Sequence, residues 1–419
     1  MDEEVGKEIS DGSEAEKSVP DGAESGKIRF YNFCKAMRYP LLYVVIAIFA
    51  YLIRYMMFGA KSGDYNSFLV KWFNTLQENG GIRAIGMSIG DYTPAYIYII
   101  AFLTYIPVDS LYSIKFVSCI FDLLMAIYVA KIVYSVSQSK EQSFIAYAIT
   151  LLLPTVFLNS GCWAQCDSIF TAFCIMSVYY LLEGKNIRGI LFYGVAFSFK
   201  LQAIFLAPLL VVLWLKRKIP LWSPLAIVGV YVAFCIPAAI AGRSFWELLT
   251  VYVRQSGEYS SLTLNAPSLC ALLGNVSQNW RSGISTAFVL LALSVTGIAI
   301  YLLAGHIKEW KKAQYIDFAM LFVLMVPFLL PHMHERYFYL ADIVSVVYVF
   351  LHPKRFYTAL LTEFCSFWVV CNYLFGVTGT YLSLGMVAAI EGVNLILLCK
   401  DLLRSYLPSA RPEKSIETE

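Results

Sequence analysis

Eight charged or imidazole side chains stand at the borders of long apolar stretches: Asp64, Asp91, Asp167, Lys200, His332, His334, Glu335 and Arg336. Ionised groups at a membrane edge are costly and tend to be functional. Carboxylates and cations in one set suit a transfer reaction between a lipid phosphate and a hydroxyl. A carboxylate must take the hydroxyl proton. Cations or helix N-termini must hold the departing phosphate. A groove must admit the lipid tail, which a membrane fold supplies. Asp64 is the candidate base. It opens a segment whose apolar residues Tyr65, Phe68, Leu69, Trp72, Phe73 and Leu76 recur at helical spacing. This predicts an amphipathic helix lying on the outer membrane surface, with Asp64 at the bilayer rim. An N-cap role for Asp64 is compatible with that placement.

The phosphate end is expected from Arg336, Lys200, His332 and His334. If Pro331 opens a helix, both histidines and Arg336 lie in its first turns, where the dipole favours an anion. Arg336 can grip phosphate oxygens bidentately; the alternative is a simple Glu335–Arg336 pair. Lys200 lies deep in an apolar stretch and is expected to touch phosphate or substrate, with snorkelling as the alternative. Trp163, Gln165 and Asp167 in the turn GCWAQCDS read as a sugar-binding surface, or Asp167 as a helix cap. Asp91 and Tyr92, with Gln202, Arg254, Tyr259 and Glu335, complete the expected substrate contacts.

Membrane helices must position these groups. Of 419 residues, 59% are hydrophobic and 15% charged, with a mean hydropathy of +0.64. Soluble domains carry about a quarter charged residues. A span needs about 20 apolar residues. The expected fold is all-α and polytopic, with about 11–13 membrane helices at that length. Cationic runs at 216–218, 308–312 and 354–355 are expected on the cytoplasmic side, with the N-terminus. External loops then fall near 59–91, 159–167, 242–283 and 331–336. Residues 1–28 read as a disordered acidic tail, 29–404 as the membrane domain and 405–419 as a cytoplasmic tail. The parity favours a shallow or re-entrant 92–107 and two short helices meeting near Lys200. The alternative is a spanning 92–107 with one long helix at 188–215. The cysteines read as small buried apolar residues, with a Cys162–Cys166 pair as the weaker reading.

The segments GDYNSFLVKW, GDYTPAY, LLPTVFLNSGCWAQCDSIF, YGVAFSFKLQAIFLAP, RQSGEYSSLTLNAPSL and HMHERYFY occur in this order. Across roughly residues 40–350 the chain resembles the bacterial mannosyltransferases related to the GPI-anchor mannosyltransferases, in the GT-C superfamily. HMHERYFY is also similar to the HxHEK element of the dolichyl-phosphate-glucose glucosyltransferases. The resemblance implies an integral protein of the bacterial cell membrane with an extracytoplasmic site. It implies an inverting transfer of mannose or glucose from a polyprenyl-phosphate sugar, with Asp64 as base. The acceptor would be lipid-linked or a polysaccharide, with membrane lipid as the other partner and no nucleic acid. No cofactor is expected, and a divalent metal is left open. The family usually has Trp-Gly-Gln-x-Asp where this chain has Ala164 at the glycine position. A transporter or flippase is the competing class, but it would need midplane charges and often repeated halves. A polysaccharide polymerase or ligase is a third reading.

Overall fold

Backbone amides and carbonyls find no water inside a bilayer, so long apolar stretches must satisfy them within helices. A computed structural model describes residues 22–90, 92–255, 260–307, 309–376 and 382–406. The helices are α1 (Gly22–Met56), α2 (Val70–Glu78), α3 (Pro94–Leu103), α4 (Ser110–Ser137), α5 (Lys140–Leu152), α6 (Pro154–Phe157), α7 (Asp167–Leu182), α8 (Asn186–Phe199) and α9 (Ala207–Leu215). They continue as α10 (Ser223–Ile240), α11 (Phe245–Leu249), α12 (Val251–Gln255), α13 (Gln278–His306), α14 (Lys312–Leu329), α15 (Tyr339–Leu351), α16 (Phe356–Phe375) and α17 (Leu384–Tyr406). Wider π-turns at Tyr65–Leu69 and Leu158–Trp163 precede α2 and follow α6. The described strand pairing is one short parallel bridge, Thr263–Leu264 with Met333–His334.

The chain is an all-α polytopic membrane protein. Among the described residues six helices are long and apolar enough to cross a membrane, and the pair Lys140–Leu152 and Pro154–Trp163, bent by 46°, makes a seventh if counted as one span. Four apolar helices are shorter. The full-length spans are thus fewer than expected, because several apolar runs are broken. Pro154 interrupts one run at α5/α6, and extended backbone at Lys200 (φ −154°) interrupts another.

The helices run up and down, which gives the bundle two distinct ends. The C-terminal ends of α1, α8, α14 and α16 meet the N-terminal ends of α4, α7 and α15 at one end, where Asp64, Asp167, Lys200 and Arg336 lie. The runs at 216–218 and 354–355 and the start of α14 at Lys312 lie at the other end. Lys308, also in the expected run 308–312, is outside the described residues. α3 has ten residues, about 15 Å, and cannot cross a bilayer. The chain is also broken at Lys200, between α8 and the 3-10 turn Leu201–Leu206.

Two local expectations are corrected. The stripe after Asp64 does not lie on a lipid surface. Tyr65, Leu69, Phe73 and Leu76 are buried against Tyr96, Ile97, Ile100 and Leu111 of α3 and α4, while Phe68 stays exposed. The stripe's apolar face is consumed by the chain's own neighbouring helices. Residues 22–28, expected in the polar tail, belong to α1, and residues 1–21 lie outside the described set. Cys162 and Cys166 are buried free thiols, in line with the main reading of the cysteines.

Candidate functional site

Two buried basic residues shape the loop that carries Asp64. Lys115 of α4 is fully buried, and its Nζ donates to the carbonyls of Met57 (3.1 Å), Phe58 (3.0 Å) and Ala60 (2.7 Å), just past the end of α1. A cation there satisfies carbonyls that the helix leaves unpaired. Arg54 pairs with Asp122 at 2.8 Å and reaches Ser160 at 3.3 Å, inside the π-turn that leads to Trp163. Ser62 then links the two segments. Its hydroxyl donates to the Trp163 carbonyl (2.7 Å) and accepts from the Tyr65 amide (3.1 Å). Ser62 therefore caps the turn, while the Asp64 carboxylate makes no cap bond and is free to face the site.

Four donors converge on that carboxylate. Oδ2 accepts from Trp163 Nε1 (3.1 Å), Gln165 Nε2 (2.5 Å) and Arg336 (3.4 Å). Oδ1 accepts from the Tyr373 hydroxyl (2.8 Å). Tyr373 comes from the end of α16 and stacks on Trp163, with ring centroids 4.8 Å apart. The Arg336 guanidinium lies 5.5 Å from the Trp163 ring centroid. Trp163 is completely buried. It is therefore not an open sugar platform, as the sequence suggested, but a rigid support that aims a donor at Asp64.

Ala164, at the family's glycine position, has φ +65°. The backbone there is left-handed, which glycine adopts without steric cost and alanine does not. That conformation lets the chain turn so that Trp163 and Gln165 both face Asp64. Gly90 answers a comparable need. It has φ +59°, and a Cβ on it would stand 2.4 Å from the Trp72 ring. Tyr92 beside it packs against Trp72 at 5.3 Å. Asp91 lies outside the described residues, as does Tyr259.

Asp167, fully buried, accepts from Lys200 through Oδ1 and from Asn159 (2.9 Å) through Oδ2, and stands 3.6 Å from Arg336 Nε. It is not a helix cap. Glu335 is also buried and pairs with Arg336 at 3.2 Å. One guanidinium thus lies among Asp64, Asp167 and Glu335. Burial alone would pull Arg336 down, but Asp167, Glu335, Tyr92 and Asp64 outweigh it and hold the guanidinium well above its ordinary value. Arg336 Nε and Gln202 Oε1 are buried without a hydrogen-bond partner. Such groups are costly to leave unpaired, and both line the same cavity, so a bound hydroxyl would satisfy Gln202 Oε1 by donating and a hydroxyl or phosphate oxygen would satisfy Arg336 Nε by accepting.

The loop 331–338 is not a helix start. α15 begins only at Tyr339, and the backbone of 333–334 is spent pairing with 263–264. No helix N-terminus therefore backs His332 or Arg336. His332, at φ +61°, uses both ring nitrogens, on the Ser261 carbonyl (2.6 Å) and the Ser285 hydroxyl (2.7 Å). It ties the loop at Ser261 to α13 and has no ring nitrogen left for a phosphate in this conformation. His334 lies 3.8 Å from Glu335. Arg254 is exposed, pairs with Glu247 at 3.4 Å, and does not reach the site. Among the described residues no three His, Cys, Asp or Glu side chains form a cluster able to hold a metal.

A cavity of about 630 Å³ joins these groups. Its polar end holds Asp64, Gln165, Lys200, Gln202, Glu335 and Arg336. Its walls include Phe68, Trp72, Phe199, Ile204, Phe205 and Val289, an apolar lining suited to a hydrocarbon chain. Gln255 and Asn265 also line it, as does Tyr373, which escaped sequence reading. Tyr373 had only its place at the outer end of a span as a signal, in an aromatic-rich segment that reads as lipid-facing.

No curated protein matches the chain. Residues 91–241, about a third of it, match the family model for dolichyl-phosphate-mannose-protein mannosyltransferase. That segment supplies Trp163, Gln165, Asp167, Lys200 and Gln202, whereas Asp64 and Arg336 join the site from outside it. The match supports the GT-C resemblance over that segment and, with the apolar helices, supports a membrane glycosyltransferase of the GT-C type.

Proposed function

We propose that the chain transfers a hexose, with mannose favoured over glucose, from a polyprenyl-phosphate sugar to a hydroxyl of a lipid-linked or polysaccharide acceptor. The observation that carries the reading is one cavity lined both by a carboxylate–guanidinium centre and by a set of large apolar side chains. Asp64 takes the acceptor's proton on Oδ1, whose one described partner is Tyr373. The acceptor oxygen forms the new bond to the anomeric carbon from the face opposite the phosphate. The bond from that carbon to the phosphate oxygen breaks, its electron pair stays on the phosphate, and the product is inverted. Arg336 and Lys200 stabilise the phosphate charge as it develops.

The cationic loops lie at the end of the bundle away from Asp64. By the positive-inside rule this supports an extracytoplasmic site, and we place it at the outer face of a bacterial cell membrane. The test is release of polyprenyl phosphate from polyprenyl-phosphate-mannose and its glucose analogue by purified protein. No release from either donor overturns the reading and favours the transporter class. Sidedness is read by cysteines placed at Glu78 and Lys218, which should label from opposite faces. Labelling from one face removes the topology.

Tyr373→Phe keeps the ring on Trp163 and loses only the bond to Asp64. A hydrogen bond to a charged group contributes about 1.5–3 kcal/mol. Turnover should fall about tenfold with thermal stability nearly unchanged, since each 1.4 kcal/mol is a factor of ten. Tyr373→Ala should lose more, because Trp163 loses its stacked neighbour. Wild-type turnover in both variants would remove α16 from the site.

A further inference from the structure

We infer that a second cavity, at the end of the bundle opposite Asp64, binds a phosphate-bearing anion at the level of the lipid headgroups. The cavity is about 520 Å³ and lies between α1, α4, α5, α7 and the start of α14. It shares no lining residue with the first cavity, and the inference does not depend on the reaction proposed above.

Its depth follows from α4. That helix starts at Ser110, whose hydroxyl bonds Tyr65 beside Asp64 at 2.7 Å. Lys131 lies 21 residues further along the same helix. At 1.5 Å per residue it is about 31 Å from the first site, close to the thickness of the hydrocarbon core. Lys131 therefore reaches the far boundary, where lipid phosphates lie.

The charge balance favours an anion. Glu183 is neutralised by Lys312 at 2.8 Å, and Ser135 donates to it. Lys131 has no carboxylate partner among the described residues. Its ammonium sits over the Tyr128 ring, 4.3 Å from the centroid, with Tyr179 at 5.8 Å. Two aromatic faces thus hold a cation at the mouth of a cavity without neutralising it. On the opposite wall the Tyr43 hydroxyl donates to Ser143 Oγ (3.0 Å), whose own proton goes to the Ala130 carbonyl (2.8 Å), so Tyr43 is the hydroxyl that can turn to an anion. Basic pockets between membrane helices bind anionic headgroups in this way.

The test uses full-length protein in neutral detergent and follows the thermal unfolding midpoint with phosphatidylglycerol, phosphatidylcholine or inorganic phosphate. Phosphatidylglycerol should protect far more than phosphatidylcholine. Lys131→Gln should bind phosphatidylglycerol about tenfold more weakly, the usual scale for one charge-assisted contact. Lys131→Arg should retain binding. Tyr43→Phe, which keeps the ring packing, should weaken it a few-fold. Protection by inorganic phosphate equal to that by lipid would keep the anion site and identify its source as soluble phosphate. Equal protection by the two lipids with none from inorganic phosphate would overturn the inference. So would Lys131→Gln and Tyr43→Phe that both behave as wild type.

Discussion

Asp64→Asn should fold, bind donor near normally and lose turnover by about 10²–10⁴-fold, the typical contribution of a general base. The surroundings make this substitution unusually clean. Oδ2 faces three donors, Trp163, Gln165 and Arg336, and the amide oxygen of asparagine can take that place. Oδ1 faces a phenol, and the Tyr373 hydroxyl can reverse its role and accept from an amide NH2. The turn itself is capped by Ser62, so the backbone does not depend on the carboxylate. What is lost is the ability to accept the proton. Steady-state transfer kinetics and a thermal unfolding curve check both halves. A near-normal rate in Asp64→Asn moves the base elsewhere, with Asp167, a buried carboxylate 3.6 Å from the same guanidinium, the next to test.

The charged residues of the site were legible because ionised side chains are rare in apolar sequence. Asp64, Asp167, Lys200, Glu335 and Arg336 were found by that rule, and the fold brings all five to one end. The rule says little about what each side chain faces. Trp163 looked like a sugar surface because aromatic residues beside polar ones often serve that role, but its ring is covered. His332 looked like an anion ligand, and its ring is engaged in holding a loop. Arg54, Lys115 and Asp122 carried the same sequence signal as the residues chosen, being charged and set in apolar stretches. They escaped because their partners are distant in sequence: Arg54 meets Asp122, and Lys115 meets carbonyls near residue 58. Tyr373 is 309 positions from Asp64 and carries no charge. Periodicity showed that residues 65–76 form a helix-like segment with one apolar face, but could not tell whether lipid or protein covers that face.

Arg336 should give the second large effect, and its two substitutions should separate structure from chemistry. The guanidinium is buried among Asp64, Asp167 and Glu335. Arg336→Ala removes the charge that these carboxylates share. Breaking a buried ion pair from one side typically costs about 3–5 kcal/mol, so this variant should unfold at lower temperature as well as lose activity. Its failure alone would not distinguish a phosphate contact from a support. Arg336→Lys keeps the positive charge near the three carboxylates and should restore most of the stability. It lacks the planar fork, so one ammonium cannot hold Asp64 and Glu335 through Nη1 while presenting Nε to a phosphate oxygen. Turnover should therefore stay depressed by about 10²–10³-fold, the scale of losing one preorganised donor at a developing anion. Thermal unfolding and release of polyprenyl phosphate, measured on the same preparations, separate the two effects. If Arg336→Lys recovers stability and turnover together, the guanidinium serves only to neutralise its neighbours, and Lys200 becomes the cation to test at the phosphate.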